Sequence, residues 1–299
     1  MDAVSLLQMA SAWLLNSGFA WLVGSWFARH WLQSGGMARN DAESVLRRSD
    51  VMAAGLCVTG SAAALWAATA AMGGLALAEA RAMFWMMLST TDYGHAGCIT
   101  VLSMSVLLAV RLYGSSHRPS SVTALILLAA FGVTRASMGH AGAEGFWSVR
   151  LAAETVHLGG VGLWVGAVAV SGSLVLRTQS RAKLNLGGAG RYLDSMSRAA
   201  MCAVIAIVAS GAYSAWHQVG TAQHLLHTSY GVTLLVKVGL VFVAIALGGY
   251  NKYIGLPAAA GSPQGLQQVR AVLQAETLVL MGVLAAAAIL TAQQPPSAL

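Results

Sequence analysis

Eight stretches of this chain are apolar for long enough to cross a bilayer, which narrows the fold before any motif is read. They run near 4–28, 50–74, 94–113, 121–139, 147–176, 196–218, 230–251 and 269–291. A hydrocarbon core about 30 Å thick needs about 20 such residues in a helix, and lipid tolerates only structures that satisfy every backbone N–H and C=O internally. Composition agrees: 57% of residues are apolar, 9% are charged, and mean hydropathy is +0.67. A water-soluble domain normally carries about a quarter charged residues. The sequence therefore reads as an all-α polytopic membrane protein with about eight transmembrane helices. Residues 78–90, with Phe84, Trp85 and Met87, are too short to span and suit the membrane interface. The first apolar stretch lacks a preceding basic region and reads as a retained helix, not a removed leader.

The net charge of +7 lies in short connections. Arg29, Arg39, Arg47 and Arg48 follow the first stretch, Arg111 and Arg118 the third, Arg177 to Arg198 the fifth, and Lys252 and Arg270 the seventh. Only Arg81, Arg135, Arg150 and Lys237 fall elsewhere. Basic loops stay on the cytoplasmic side, so both termini are expected in the periplasm. The dispersal argues against nucleic acid as a partner and leaves the lipid bilayer as the main one. Cys57, Cys98 and Cys202 sit singly in apolar segments and build neither a disulfide framework nor a zinc motif. No Gly-rich phosphate loop or nucleotide-binding domain is present, so ATP-driven pumping and enzymatic chemistry are not expected.

Two short echoes divide the chain. Thr91-Asp92-Tyr93-Gly94 opens the third stretch and Thr228-Ser229-Tyr230-Gly231 the seventh; Leu22-Val23-Gly24 in the first is echoed by Trp164-Val165-Gly166 in the fifth. They suggest two related four-helix halves, residues 1–140 and 141–299, as parallel repeats, with chance as the competing account.

The histidines sort by side. His30 and His117 fall in the basic connections, whereas His95, His140, His157, His217, His224 and His227 belong to the opposite ends of the stretches, together with Met72, Met83, Met86, Met87 and Met138. Imidazole suits several transition metals, and thioether sulfur selects reduced copper, so the mixture favours copper over zinc or magnesium. The bland account is that single histidines satisfy backbone carbonyls and methionines fill cores. His157 stands out because it lies about ten residues inside its stretch, where an ionisable group needs a partner. Glu154 shares its helix face three residues earlier and can bind a metal or orient the imidazole, and Trp164 lies two turns on. Lys237 and Glu276 also lie inside stretches; a pairing between them is open, with their different depths against it.

Several motifs in order resemble the CopD family of copper-resistance inner-membrane proteins. They are Gly139-His140-Ala141, Glu154-x-x-His157, Trp164-Val165-Gly166, Thr228-Ser229-Tyr230-Gly231 with Leu234, Leu235 and Lys237, then Asn251, Glu276 and Pro295. The resemblance implies a multi-pass protein of the bacterial inner membrane that transports or accepts copper ions and contributes to copper homeostasis or resistance. It also implies a periplasmic copper chaperone of the CopC type as partner. By position, His140 and His157 are the implied metal contacts with Glu154 in support, and topology adds His95. Consecutive helices are usually neighbours, so His95, His140 and His157 are expected to converge. Two other readings stay open: a haem-b redox protein, since histidines on adjacent helices can be axial ligands, and a copper-delivery assembly factor without transport of its own.

Overall fold

The chain is described by a computed structural model over residues 2–35, 39–114, 118–139, 142, 145, 147–179, 186–219 and 226–293. Its elements are all helical. In order they are α1 (Ala3–Gly35), α2 (Arg39–Gly73), α3 (Arg81–Thr90), α4 (Asp92–Tyr113), α5 (Arg118–Ser137), α6 (Val149–Val170), α7 (Leu186–Val219), α8 (Ser229–Tyr250) and α9 (Pro263–Thr291). Both α6 and α8 continue through a π-helical turn, Ser171–Val175 and Asn251–Gly255, into a short α-helical end, Leu176–Gln179 and Leu256–Gly261.

Seven of these helices are long and apolar enough to cross a membrane. The eighth expected span, α5, falls just short by that measure, with an apolar part of Ser121–Ser137. Its full 20 residues still make a rod about 30 Å long. Outward faces carry Leu102, Ile126, Ile205 and Phe242, all well exposed, as lipid contact requires. The chain is a multi-pass membrane protein. The 78–90 segment forms α3, a ten-residue helix with Trp85 and Met86 exposed and Met87 buried.

Two helices start earlier than their apolar stretches suggest. Arg47 and Arg48 lie on the first turns of α2, and Arg191 and Arg198 on those of α7, where loops were expected. These extensions are used. Asp50, whose side chain is wholly buried, bridges Arg29 of α1 at 2.8 Å and Arg111 of α4 at 3.1 Å, and Arg29 also reaches Glu43 at 3.1 Å. Arg47 caps α4 by donating to the Arg111 and Leu112 carbonyls at 2.8 and 2.6 Å. A buried ion pair owes its stability to having all partners present, so one truncation here costs about 3–5 kcal/mol. This network ties α1, α2 and α4 together at the basic end of the bundle.

Two apolar cores share α1. One lies among α1, α2, α4 and α5 and includes the stacked rings of Phe19 and Phe131; the other lies among α1, the start of α2, α6, α7, α8 and α9. Between them α1 crosses α6 at glycines. A β-carbon on Gly166 would lie 1.8 Å from the Ala20 carbonyl oxygen, and one on Gly24 2.1 Å from the Gly166 carbonyl carbon. Both glycines belong to the echoed Leu22-Val23-Gly24 and Trp164-Val165-Gly166 motifs. The other echo also shares local geometry. Thr91 accepts the Gly94 N–H at 2.9 Å and Thr228 the Gly231 N–H at 3.0 Å, so the two threonines are the N-caps of α4 and α8.

Candidate functional site

His157 projects from α6 onto α7. Its Nδ1 lies 3.2 Å from Ser210 Oγ, and the ring is also within hydrogen-bonding reach of the Ile207 carbonyl. Ser210 Oγ already donates to the Ala206 carbonyl at 2.6 Å, so it can only accept from the ring. That fixes the proton of a neutral imidazole on Nδ1 and leaves the lone pair on Nε2. Room for the ring comes from Gly211, where a β-carbon would lie 3.1 Å from His157 Cε1. One turn deeper, Gly160 meets Ala203 and Ile207, which brings the two helices close.

The antiparallel register that sets His157 against Ser210 and Gly160 against Ile207 carries Ser214 to the level of Glu154. Ser214 Oγ is buried and makes no hydrogen bond. From α8, Lys237 lies within electrostatic reach of both Glu154 and His157. Tyr230, in the first turn of α8, feels the charges of Glu154 and Arg150. Three helices thus contribute to one polar patch inside the bundle. Ser210 and Ser214 are absent from the sequence-derived set. Their signal was weak: two serines four apart on one face of an otherwise apolar helix.

The pairing left open between the two span charges is not formed. Lys237 lies within electrostatic reach of Glu154, and Glu276 accepts a hydrogen bond from Trp164 Nε1 at 3.0 Å. The depth difference is the physical reason, since Lys237 is level with the histidine patch and Glu276 lies near the middle of α9.

His95 occupies the first turn of α4, is exposed, and its Nε2 lies 3.0 Å from the Ser89 carbonyl at the end of α3. A carbonyl only accepts, so this nitrogen donates and is spent on closing the α3–α4 corner. Because α4 packs on α2, α3 and α5 while His157 faces α7, His95 and His157 look into different parts of the bundle. His140 lies outside the described residues, as do His117 and His224. His217 spends Nδ1 on the Tyr213 carbonyl at 2.9 Å, and His227 is exposed. Among the described residues no three His, Cys, Asp or Glu side chains converge as a ready metal cage. Of the predicted site, His157 and Glu154 share a patch with each other and with Lys237.

Comparison with known families supplies the context. Residues 1–149 match the N-terminal domain of copper resistance protein D-like proteins, and residues 190–290 match copper resistance protein D. The chain belongs to the copper resistance protein D family. It is also similar to the copper transport protein CutJ of Bacillus subtilis (strain 168), with 26% identity over 202 residues. That alignment covers 68% of this chain and 36% of CutJ, so the chain spans little more than a third of its relative. No solved structure matches. The family-level match supports a copper-related role; Ser210, Ser214, Tyr230, Lys237 and Glu276 lie within the matched segment 190–290, and Glu154 and His157 lie between the two matched segments.

Proposed function

We propose that this protein transports copper ions across the bacterial inner membrane, or accepts them there, and contacts the ion first at His157. The observation that carries the reading is the seating of that imidazole. Its Nδ1 is held by Ser210, and a ring oriented in this way offers Nε2 to a metal, as ligating histidines do when a second group fixes their tautomer. Glu154 supplies a carboxylate one turn away, and the unpartnered Ser214 hydroxyl supplies an oxygen at the same level.

In this reading Lys237 neutralises Glu154 while no ion is present. Copper arriving at His157 competes with the ammonium for the carboxylate, so the patch exchanges one positive charge for another at little cost in buried charge. His140 and His95 act on the approach from the periplasmic side, where a soluble chaperone of the CopC type would deliver the ion. The assignment of sides follows from the basic residues gathered at the Arg29–Asp50–Arg111 end, which positive-inside bias places in the cytoplasm. No catalytic step is required of the chain.

Uptake of copper into sealed inner-membrane vesicles tests this reading. Vesicles with the wild-type protein are expected to accumulate copper, and those with His157→Ala to lose most of that uptake. Uptake unaffected by His157→Ala removes the histidine from the route, and copper binding without any accumulation favours the assembly-factor reading.

A further inference from the structure

Glu276 is a carboxyl that the copper patch does not use. It lies near the middle of the 29-residue α9 and is only 1% exposed. Trp164 Nε1 donates to its Oε1 at 3.0 Å, and Gly248 of α8 presents bare backbone to it, since a β-carbon there would lie 3.4 Å from Oε1. Among the described residues no cation forms an ion pair with it. On its own helix, Arg270 donates to the Gly172 carbonyl at 3.2 Å. On α8, Lys237 lies within electrostatic reach of Glu154 and Tyr250 accepts from Gln268, and in the π-helical turn that follows Lys252 reaches Met201 Sδ. On α6, the His157 ring is turned to Ser210, and on α1 Arg29 is held by Glu43 and Asp50.

The surroundings of this carboxyl are unusual in two further ways. Both π-helical turns of the molecule's described part, Ser171–Val175 and Asn251–Gly255, pack against α9 on its way to Glu276. Glycines let them approach: a β-carbon on Gly172 would lie 2.9 Å from Leu273 Cβ, and one on Gly255 2.9 Å from Val269 Cγ2. Such turns break the regular i→i−4 ladder and recur at functional sites. Asn251, one residue into the second turn and 3% exposed, has neither its side-chain nitrogen nor its oxygen hydrogen-bonded. A buried carboxamide with both ends unpaired is costly unless something polar visits it.

We propose that Glu276, held by Trp164 and facing the bare backbone at Gly248, is an internal proton-binding site that exchanges its proton as a cation crosses the second half of the bundle. The donor set decides the ligand. A carboxyl and an indole N–H include neither imidazole nor sulfur, so copper has little to hold here, whereas a proton needs one oxygen. With no ion-pairing cation among the described residues, the low-dielectric interior keeps the resting carboxyl neutral. A cation passing nearby stabilises the carboxylate, and the proton leaves to the side open to water. The proton site stands on this geometry alone; its coupling to copper rests on the transport reading above.

Infrared difference spectra of the purified protein in lipid, recorded across pH, test the first part. A protonated-carboxyl C=O band is expected at neutral pH, absent in E276Q and moved to higher frequency in W164F, where the carbonyl loses its donor. E276Q keeps the shape and the indole contact, so it is expected to fold, with gel filtration in detergent as the check. If E276Q removes no such band, the proton site is wrong. Proteoliposomes enclosing a pH-sensitive dye test the second part. Copper addition is expected to move protons with the wild type and at least tenfold less with E276Q, while copper binding to E276Q persists. Proton movement retained in E276Q, or wild-type copper uptake without proton movement, overturns the coupling. Absence of copper uptake in the wild type overturns the transport reading and leaves the infrared result to decide the proton site.

Discussion

Gly24 and Gly166 meet backbone to backbone where α1 crosses α6, and the two apolar cores join through that contact. The obstacles to a side chain are carbonyl groups of the facing helix, which cannot swing aside as a side chain end can. Gly166→Ala therefore forces α1 and α6 apart at the crossing where the two cores join. A loss of roughly 3 kcal/mol or more is expected, as for other overpacked cores. Gly159→Ala on the same helix adds its methyl to open space and is expected to be neutral or slightly stabilising. Thermal unfolding followed by gel filtration in detergent compares the two; equal melting temperatures would show that the crossing is loose.

Under the proposed function, Ser210 acts on copper only through His157. Ser210→Ala removes the acceptor for Nδ1–H but leaves every proposed ligand in place, so the imidazole loses its fixed tautomer and orientation. Copper affinity is expected to fall about 10–100-fold, the usual effect of deleting a group that orients a ligating histidine. Ser210→Thr keeps the hydroxyl and should retain most of the affinity. Competition with a chromogenic copper chelator gives the numbers, and an unchanged affinity in Ser210→Ala means that Ser210 does not set the ring.

Both termini are expected in the periplasm. The Arg29–Asp50–Arg111 network and Arg47 lie at one end of the bundle, and the α3–α4 corner with His95 lies at the other. Alkaline phosphatase fused after Leu299 should be active, and the same fusion placed after Arg181, between α6 and α7, should be inactive. The reverse pattern inverts the molecule and puts the histidine patch on the cytoplasmic side.

The sequence made the helix inventory legible because hydropathy and length alone decide what lipid accepts. It left helix ends less legible. Arg47, Arg48, Arg191 and Arg198 are good helix formers, so polarity marked them as loop while the backbone continued regularly through them. The candidate site was legible at Glu154 and His157, which share one helix and one face. Partners on other helices were not, because they depend on how each helix is rotated about its axis. Hence Lys237 and Glu276 found different partners from each other, Ser210 and Ser214 passed as ordinary residues of an apolar span, and the Ser89 carbonyl that occupies His95 gave no signal. The repeated Thr-x-x-Gly cap was visible as letters, but its role at α4 and α8 needed the hydrogen bonds.

Lys237 is the one basic side chain within electrostatic reach of both Glu154 and His157 among the described residues, and it opposes any cation bound there. Removing its charge should therefore strengthen copper binding, the opposite of what deletion of a ligand does. Lys237→Leu removes the charge while keeping an apolar side chain and is expected to tighten copper binding roughly tenfold, which corresponds to about 1.4 kcal/mol. Lys237→Arg keeps the charge and should bind as the wild type does. If the ammonium also helps to expel the ion from Glu154, Lys237→Leu will bind copper tightly yet accumulate it slowly in vesicles. Chelator competition and vesicle uptake on the same preparations separate the two effects. Weaker binding in Lys237→Leu would mean that the lysine holds the patch together and does not compete with the ion.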